Sequence, residues 1–186
     1  MICVISGTNR LDSKTREISK LIVKTLQELQ DEKVIMIDLK EIPSESLSNM
    51  MYSKSGQDPW VTDIQDKYIL PSDKWLIITP EYNGSFAGVL KVFIDALSVR
   101  HYNETFNGKF VGLVGISSGR AGNLRGMEHL TGILQYLKMH VFHDKLPISR
   151  IETVVSEDGQ VDEETATLIT QMLEGYLEFT PASISY

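Results

Sequence analysis

The stretch Trp75-Leu76-Ile77-Ile78-Thr79-Pro80-Glu81-Tyr82-Asn83-Gly84-Ser85 joins an unbroken apolar run to a polar turn, and the turn leads straight into a segment of helical period. Consecutive apolar residues without polar alternation mark a strand covered on both faces, the situation of parallel sheets. Working outward from this strand, at about 74 to 79, similar runs rich in branched residues occur at about 1 to 6, 33 to 38 (Val34, Ile35, Ile37), 110 to 117 and 139 to 143. Between them apolar residues recur at three- and four-residue spacings. Ile18, Leu21, Ile22, Leu26 and Leu29 mark one helix; Phe86, Val89, Leu90, Phe93, Ile94 and Leu97 a second; Leu124, Met127, Leu130, Leu134 and Leu137 a third. Leu168, Ile169, Met172, Leu173 and Tyr176 mark a helix near the C-terminus, with Asp162 as its N-cap, and a shorter candidate carries Val61, Ile64 and Tyr68. Strand and helix alternate throughout, which predicts a doubly wound α/β sandwich with five parallel strands in the order 2-1-3-4-5.

The 186 residues, 42% hydrophobic and 23% charged, suit one domain with a buried core, spanning 1-186. Residues 40 to 60, with Pro43, four serines between 44 and 53, Asn49, Gly56 and Pro59, read as a long mobile connection. A formal charge of −7 argues against a grip on nucleic acid or an anionic membrane. The acidity is local: residues 151 to 186 hold eight acids and no lysine or arginine, leaving 18 basic against 17 acidic residues before them. Cys3 is the only cysteine, so no internal disulfide forms. With no basic leader and no apolar run near the ~20 residues of a membrane span, the expected compartment is the cytoplasm.

Ligands of open parallel sheets bind beyond the carboxyl ends of the strands, where the strand order reverses. Three loops meet there. The first, Ser6-Gly7-Thr8-Asn9-Arg10-Leu11-Asp12-Ser13-Lys14-Thr15, combines a turn glycine, hydroxyls, a guanidinium and the start of a helix, the chemistry of a phosphate site. It lacks both the P-loop and the dinucleotide glycine pattern, and its plainer reading is a polar turn with Ser13 as N-cap. The second, Thr79 to Ser85, offers a rigid proline, a tyrosine among polar residues and a backbone against which a planar ligand can lie. The third, Gly115-Ile116-Ser117-Ser118-Gly119-Arg120-Ala121-Gly122-Asn123, leaves its backbone bare for close approach.

Gly115-Ile116-Ser117-Ser118-Gly119 also fits a nucleophile elbow, with Ser117 as the hydrolase serine. That fold needs an acid and then a histidine after the serine, and Glu128 with His140 or His143 meets the order only formally. A metal site is no better supported. His140 and His143 lie three apart in a predicted strand, on opposite faces, and no cysteine or carboxylate cluster has ligand spacing.

At the three loops the sequence resembles the NAD(P)H-dependent FMN reductase family. The family pattern Gly-Ser-x-Arg-x-x-Ser-x-Asn is approached by Gly7-Thr8-Asn9-Arg10-Leu11-Asp12-Ser13-Lys14-Thr15, where two threonines replace a serine and an asparagine and keep hydrogen-bonding groups. Pro80-Glu81-Tyr82-Asn83, then Ser85, Leu90-Lys91 and Ile94-Asp95, is similar to the family's most specific signature; Gly108-Lys109, Ser118-Gly119 and Glu157-Asp158-Gly159 also resemble it.

The resemblance implies a flavodoxin-like three-layer sandwich that binds FMN and uses NAD(P)H as co-substrate. Carried over by position, Thr8, Arg10, Ser13 and Thr15 hold the FMN phosphate, with Lys14 in the same cofactor-binding loop. Pro80, Glu81, Tyr82, Asn83, Gly84 and Ser85 line the isoalloxazine, and Ser117, Ser118, Gly119 and Arg120 close its other side. The implied reaction passes hydride from nicotinamide to the flavin and then to a small acceptor in a ping-pong cycle, with no obligatory acid or base residue. Quinones, flavins, azo compounds and metal oxyanions are the acceptor classes. A homodimer or homotetramer is expected through the helices after strands three and four, which carry Phe86, Phe93, Leu97, Leu130, Ile133 and Leu137, and Arg100-His101-Tyr102-Asn103 would approach a neighbour's site. The rival reading is a flavodoxin-type electron carrier without its own NAD(P)H site; Arg10 and Pro80-Glu81-Tyr82-Asn83 favour the reductase.

Overall fold

A computed structural model describes residues 1 to 54 and 56 to 180 of the chain. Strands β1 (Ile2–Ser6), β2 (Val34–Asp38), β3 (Lys74–Pro80), β4 (Phe110–Ile116) and β5 (His140–Val141) form a parallel sheet in the order β2-β1-β3-β4-β5. The predicted topology is the observed one. In register, Ser6 stands opposite Asp38 on one side and Ile78 on the other, and Pro80 stands opposite Ile116.

Because successive side chains of a strand point to opposite faces, each apolar strand feeds two cores. Ile2 and Val4 pack with Leu76, Ile78, Val114 and Ile116 beneath α1 (Lys14–Leu29) and α7 (Glu163–Glu178), through Ile18, Ile22, Leu26, Ile169, Leu173 and Tyr176. Cys3 and Ile5 pack with Trp75, Ile77, Val111 and Leu113 beneath α3 (Gly88–Ser98) and α5 (Leu124–Tyr136), through Leu90, Phe93, Leu97, Met127, Leu130 and Leu134. The predicted caps form. Ser13 accepts from the Thr15 N–H at 3.2 Å and Asp162 from the Thr165 N–H at 2.9 Å.

The structure corrects the sequence reading at the last strand and the long connection. The run 139 to 143 is not one strand. β5 ends at Val141, Phe142 still donates its N–H to Val111 O, and the polar residues His143, Asp144 and Lys145 leave the ladder. The chain returns as β6 (Leu146–Ile148), pairing with Val114, Gly115 and Ile116 on the same edge of β4. Pro147 marks an edge strand, where a missing N–H costs no inner ladder bond. His140 stacks on Phe110 with ring centroids 5.3 Å apart.

Residues 39 to 52 are not a mobile connection but three 3-10 turns that bury Leu39 and Met51, a pattern too short for periodicity to reveal. α2 (Pro59–Ile64) runs into a π turn, Gln65–Ile69, at the predicted short helix. Two further short helices, α4 (Tyr102–Phe106) and α6 (Ile151–Val154), have no signal in the apolar spacing.

Gln65 is the first residue of the π turn and is buried. Its buried amide nitrogen, with two protons, lies 2.7–2.9 Å from three acceptors, Leu97 O, Arg100 O and Thr105 Oγ1, so one proton is shared, and its carbonyl accepts from Gln57 Nε2 at 2.8 Å. One side chain thereby fastens α2 to the end of α3 and the start of α4. A buried amide satisfied on every side fixes a single arrangement.

Lys109 is 6% exposed; its ammonium donates to Ile69 O and Leu70 O at 2.7 and 2.9 Å and lies over the Trp75 ring. Burial pushes its pKa down from 10.5 to about 8. Burial pushes the neighbouring Cys3 thiol in the opposite direction, well above its ordinary value. Between about 8 and 10.5 an unfolded lysine keeps a proton that folded Lys109 has lost, so this residue's contribution to stability rises with pH across that window. Urea unfolding of wild type and Lys109→Met at several pH values will show the difference moving in favour of wild type as pH increases through it. A difference that is flat or falling with pH excludes a depressed lysine.

Candidate active site

At the carboxyl ends of β1, β3 and β4 lies a cleft of about 320 Å³. From the expected residues it is lined by Arg10, Ser13, Lys14, Thr15, Pro80, Glu81, Tyr82, Ser117 and Ser118. The structure adds Asp12, Ile116, Ile151 and Glu152. Thr8 lies behind this wall at 1% exposure. Asn83, Gly84, Ser85, Gly119 and Arg120 stand in the adjoining turns and do not line the cleft itself.

The first loop is held by the sheet. Gly7 donates to Ile78 O at 2.7 Å, and a Cβ at Gly7 would stand 2.7 Å from that oxygen, so only glycine permits the approach. The N–H groups of Asn9, Leu11, Asp12 and Lys14 have no acceptor within the described chain, and the guanidinium of Arg10 has no acidic partner there. Ser6 Oγ is buried without a hydrogen-bond partner. Unused donors at the positive end of a sixteen-residue helix suit a phosphate dianion. Lys14 points elsewhere: its ammonium lies 2.8 Å from Val155 O and 2.8 Å from a Glu152 carboxylate oxygen, closing the cleft against α6.

The second loop is a four-residue turn in which Tyr82 and Ser85 exchange backbone hydrogen bonds at 2.8 and 3.1 Å. Asn83 and Gly84 take φ of +52° and +76°, the pair of left-handed residues that Asn-Gly supplies to a primed turn. Glu81 donates its N–H to Ile116 O at 2.7 Å, so the wall continues the sheet. α5 fixes the far side of this turn. A Cβ on Gly126 would meet Ser85 C and Phe86 N at 2.7 Å, and Asn123 Nδ2 donates to Thr79 O at 3.0 Å. Sequence reasoning missed both residues, because glycine inside a helical pattern does not by itself separate a close approach, as at Gly126, from open space, as at Gly132, where a Cβ would meet nothing within 4 Å.

In the third loop, Ser117 is not a nucleophile in waiting. Its hydroxyl donates to Gly119 O at 3.1 Å and accepts from the Gly122 N–H at 2.9 Å, which spends it on the turn. The acid and base of the hydrolase reading are engaged elsewhere: Glu128 pairs with Lys145 at 2.6 Å, His140 stacks on Phe110, and His143 is exposed beside Phe142. Among the described residues no three His, Cys, Asp or Glu side chains gather to hold a metal ion. A Cβ at Gly119 would touch nothing within 4 Å, so the bare backbone opens onto free space.

These features define the class first: a flavodoxin-like sandwich with a phosphate loop and a flat wall at the topological switch point. The solved structure of FerB, a flavoenzyme NAD(P)H:(acceptor) oxidoreductase from Paracoccus denitrificans, shares the fold with a TM-score of 0.76 over 95% of this chain and 94% of that one, at 23% identity. The chain belongs to the NADPH-dependent FMN reductase family, which matches residues 1–153. Curated relatives include an NAD(P)H-dependent FMN reductase of Pseudomonas aeruginosa, 34% identical over 140 residues that cover 74% of this chain and 75% of the relative. A 2-hydroxy-1,4-benzoquinone reductase of a Burkholderia species is 29% identical over 167 residues, covering 84% and 86%. The protein is accordingly a flavin-dependent oxidoreductase with FMN as cofactor and NAD(P)H as co-substrate. The donors without acceptors in the first loop, the orphaned Ser6 hydroxyl and the flat wall of the second loop fit that cofactor.

Removing the Ser117 hydroxyl leaves the buried Gly122 N–H without an acceptor, a loss of about 1–3 kcal/mol. Ser117→Ala will therefore unfold at a lower temperature than wild type, while a serine-directed phosphonate leaves the wild-type protein unlabelled. Covalent labelling of Ser117 revives the hydrolase.

Proposed function

We propose that the chain, as one domain over 1-186, is an NAD(P)H oxidoreductase that reduces a small acceptor such as a quinone, flavin, azo compound or metal oxyanion in a ping-pong cycle. The observation that carries the reading is one cleft joining unused phosphate donors (the amides of Asn9, Leu11, Asp12 and Lys14 and the Arg10 guanidinium) to a flat wall (Pro80, Glu81 and Tyr82). When bound, FMN supplies two-electron chemistry, accepting hydride from the nicotinamide and delivering it to the acceptor.

The side chains have positioning tasks. Arg10, Ser13 and Thr15, with the free amides of their loop, hold the phosphate. Pro80, Glu81 and Tyr82 form one wall of the ring pocket, held to β4 through the Glu81–Ile116 hydrogen bond, and Ser117 and Ser118 form the opposite side. Asn83, Gly84 and Ser85 keep the turn rigid, while Gly119 and Arg120 border the free space into which the second substrate enters. Lys14 serves by locking α6 over the cleft rather than by touching the phosphate. No acid or base residue is required by this scheme, since the hydride moves between the substrates and the flavin.

The test is direct. Purified protein incubated with FMN and either NADPH or NADH will oxidise the nicotinamide rapidly on addition of a benzoquinone, followed by the loss of its near-ultraviolet absorbance. Bound flavin without turnover marks an electron carrier, and failure to bind FMN overturns the reading.

We also propose a homodimer or homotetramer in the cytoplasm. Phe93, Leu97, Leu130 and Leu137 are spent on the chain's own core. What remains outward at α3, α4 and α5 is a groove of about 450 Å³ whose lining includes Ser98, Tyr102, Ile133 and Tyr136, with Tyr136 81% exposed. Arg100, two residues before Tyr102, pairs with Asp66, and neither Arg100 nor Tyr102 lines the chain's own cleft. Light scattering will give a mass of two or four times 21.0 kDa. Tyr136→Glu will lower it towards one copy, and an unchanged oligomer places the contact elsewhere.

A further inference from the structure

Thr8 is 1% exposed and does not line the cleft, whereas Tyr82 does. Thr8 Oγ1 lies 2.7 Å from the Tyr82 hydroxyl and accepts the Arg10 N–H at 3.2 Å. These two contacts constrain the protons. A buried hydroxyl uses its single proton where an acceptor exists. Beyond the Arg10 amide, which can only donate, the one partner of Thr8 Oγ1 among the described residues is the Tyr82 oxygen. If Tyr82 gave its proton to Thr8, the Thr8 proton would be left buried with no acceptor. The satisfied arrangement is the reverse: Thr8 donates to Tyr82, and the phenolic proton of half-buried Tyr82 is free to point into the cleft.

Tyr82 is also fixed from its backbone. Its exchange of hydrogen bonds with Ser85 closes the Asn83-Gly84 turn, and Glu81 ties the preceding residue to β4. A phenol held at both its hydroxyl and its backbone loses little freedom when it meets a ligand. Through Thr8 its tip is joined to the loop that carries the free amides and Arg10, at the phosphate end of the cleft.

We propose that Tyr82 donates its phenolic hydrogen bond to the phosphate end of the bound flavin nucleotide, and that Thr8 is the positioning residue that aims it. The inference rests on the FMN reading above and changes two roles within it. Thr8 serves through a neighbour instead of touching the phosphate, and Tyr82 is a phosphate donor as well as part of the ring wall.

Equilibrium binding followed by flavin fluorescence separates these roles when FMN and riboflavin, which lacks the phosphate, are compared on the same variants. A lost hydrogen bond to a charged oxygen weakens binding by about tenfold or more. Tyr82→Phe will lose that factor for FMN and change riboflavin by less than about twofold, as expected for a phosphate-directed donor. Thr8→Val will show the same FMN-selective loss, Thr8→Ser will bind as wild type does, and Tyr82→Phe combined with Thr8→Val will be no weaker than Tyr82→Phe alone, since the two act as one unit.

The proposal is overturned if Tyr82→Phe binds FMN as tightly as wild type, if it loses FMN and riboflavin equally, or if Thr8→Ser behaves like Thr8→Val. Wild-type protein that binds neither flavin overturns the cofactor reading and this inference with it. Wild-type protein that binds FMN well while Tyr82→Phe is unaffected removes only the role given to Tyr82.

Discussion

Insertion of β3 between β1 and β4 is the pairing on which the rest of the molecule depends. With Ser6 opposite Ile78 and Pro80 opposite Ile116, β1 ends two residues before β3 and β4, and their loops emerge side by side. Between β1 and β3 the chain changes the direction in which it builds the sheet, so the loops after these strands diverge and leave a crevice. The crevice is a consequence of strand order alone. Its chemistry comes from what the loops carry.

Several small residues exist to keep the crevice narrow. Gly7 lets the first loop press on Ile78 O, Gly126 brings the first turn of α5 onto the Ser85–Phe86 backbone, and Gly115 accommodates the Gly122 carbonyl and Met127. Each replaces a side chain by direct backbone contact, and the polar side chains Thr8, Asn123 and Ser117 satisfy the groups exposed by such close approach. Rigidity there has a functional sense, because a cofactor that does its own chemistry asks the protein for orientation and for donors already in place. The polar cleft end of the sheet contrasts with the opposite end, where Gln65 ties helical segments to one another and Lys109 and Tyr176 tie helical segments to the strands through buried hydrogen bonds.

The charge distribution fits this division. Acidic residues concentrate after residue 150, on α7 and the turn before it, while the loops around the cleft present Arg10 and Arg120 without acidic partners among the described residues. The cleft lining itself holds Asp12, Glu81 and Glu152 beside Arg10 and Lys14, so the pull on a phosphate comes from Arg10 and the free amides of the first loop and not from a net positive field.

The sequence by itself determined the layer architecture, the strand order and the three loops of the site. Unbroken apolar runs and helical spacings are repeated over many residues and survive any local detail, and the Pro80-Glu81-Tyr82-Asn83 and Gly7 to Thr15 segments carry their chemistry in their residue types. What it left undecided depends on contacts between residues far apart in the chain. The division of the last strand into β5 and β6 follows from which part of β4 each half meets, and the order of residues 39 to 52 from burial of Leu39 and Met51 under helices read elsewhere. Only the tertiary structure placed Lys14 against Val155, spent the Ser117 hydroxyl on Gly119 and Gly122, and set Tyr82 on Thr8, seventy-four residues away. Each of these is a hydrogen bond whose geometry is fixed by the packing of whole elements, and residue type at one position carries no record of the partner that packing supplies.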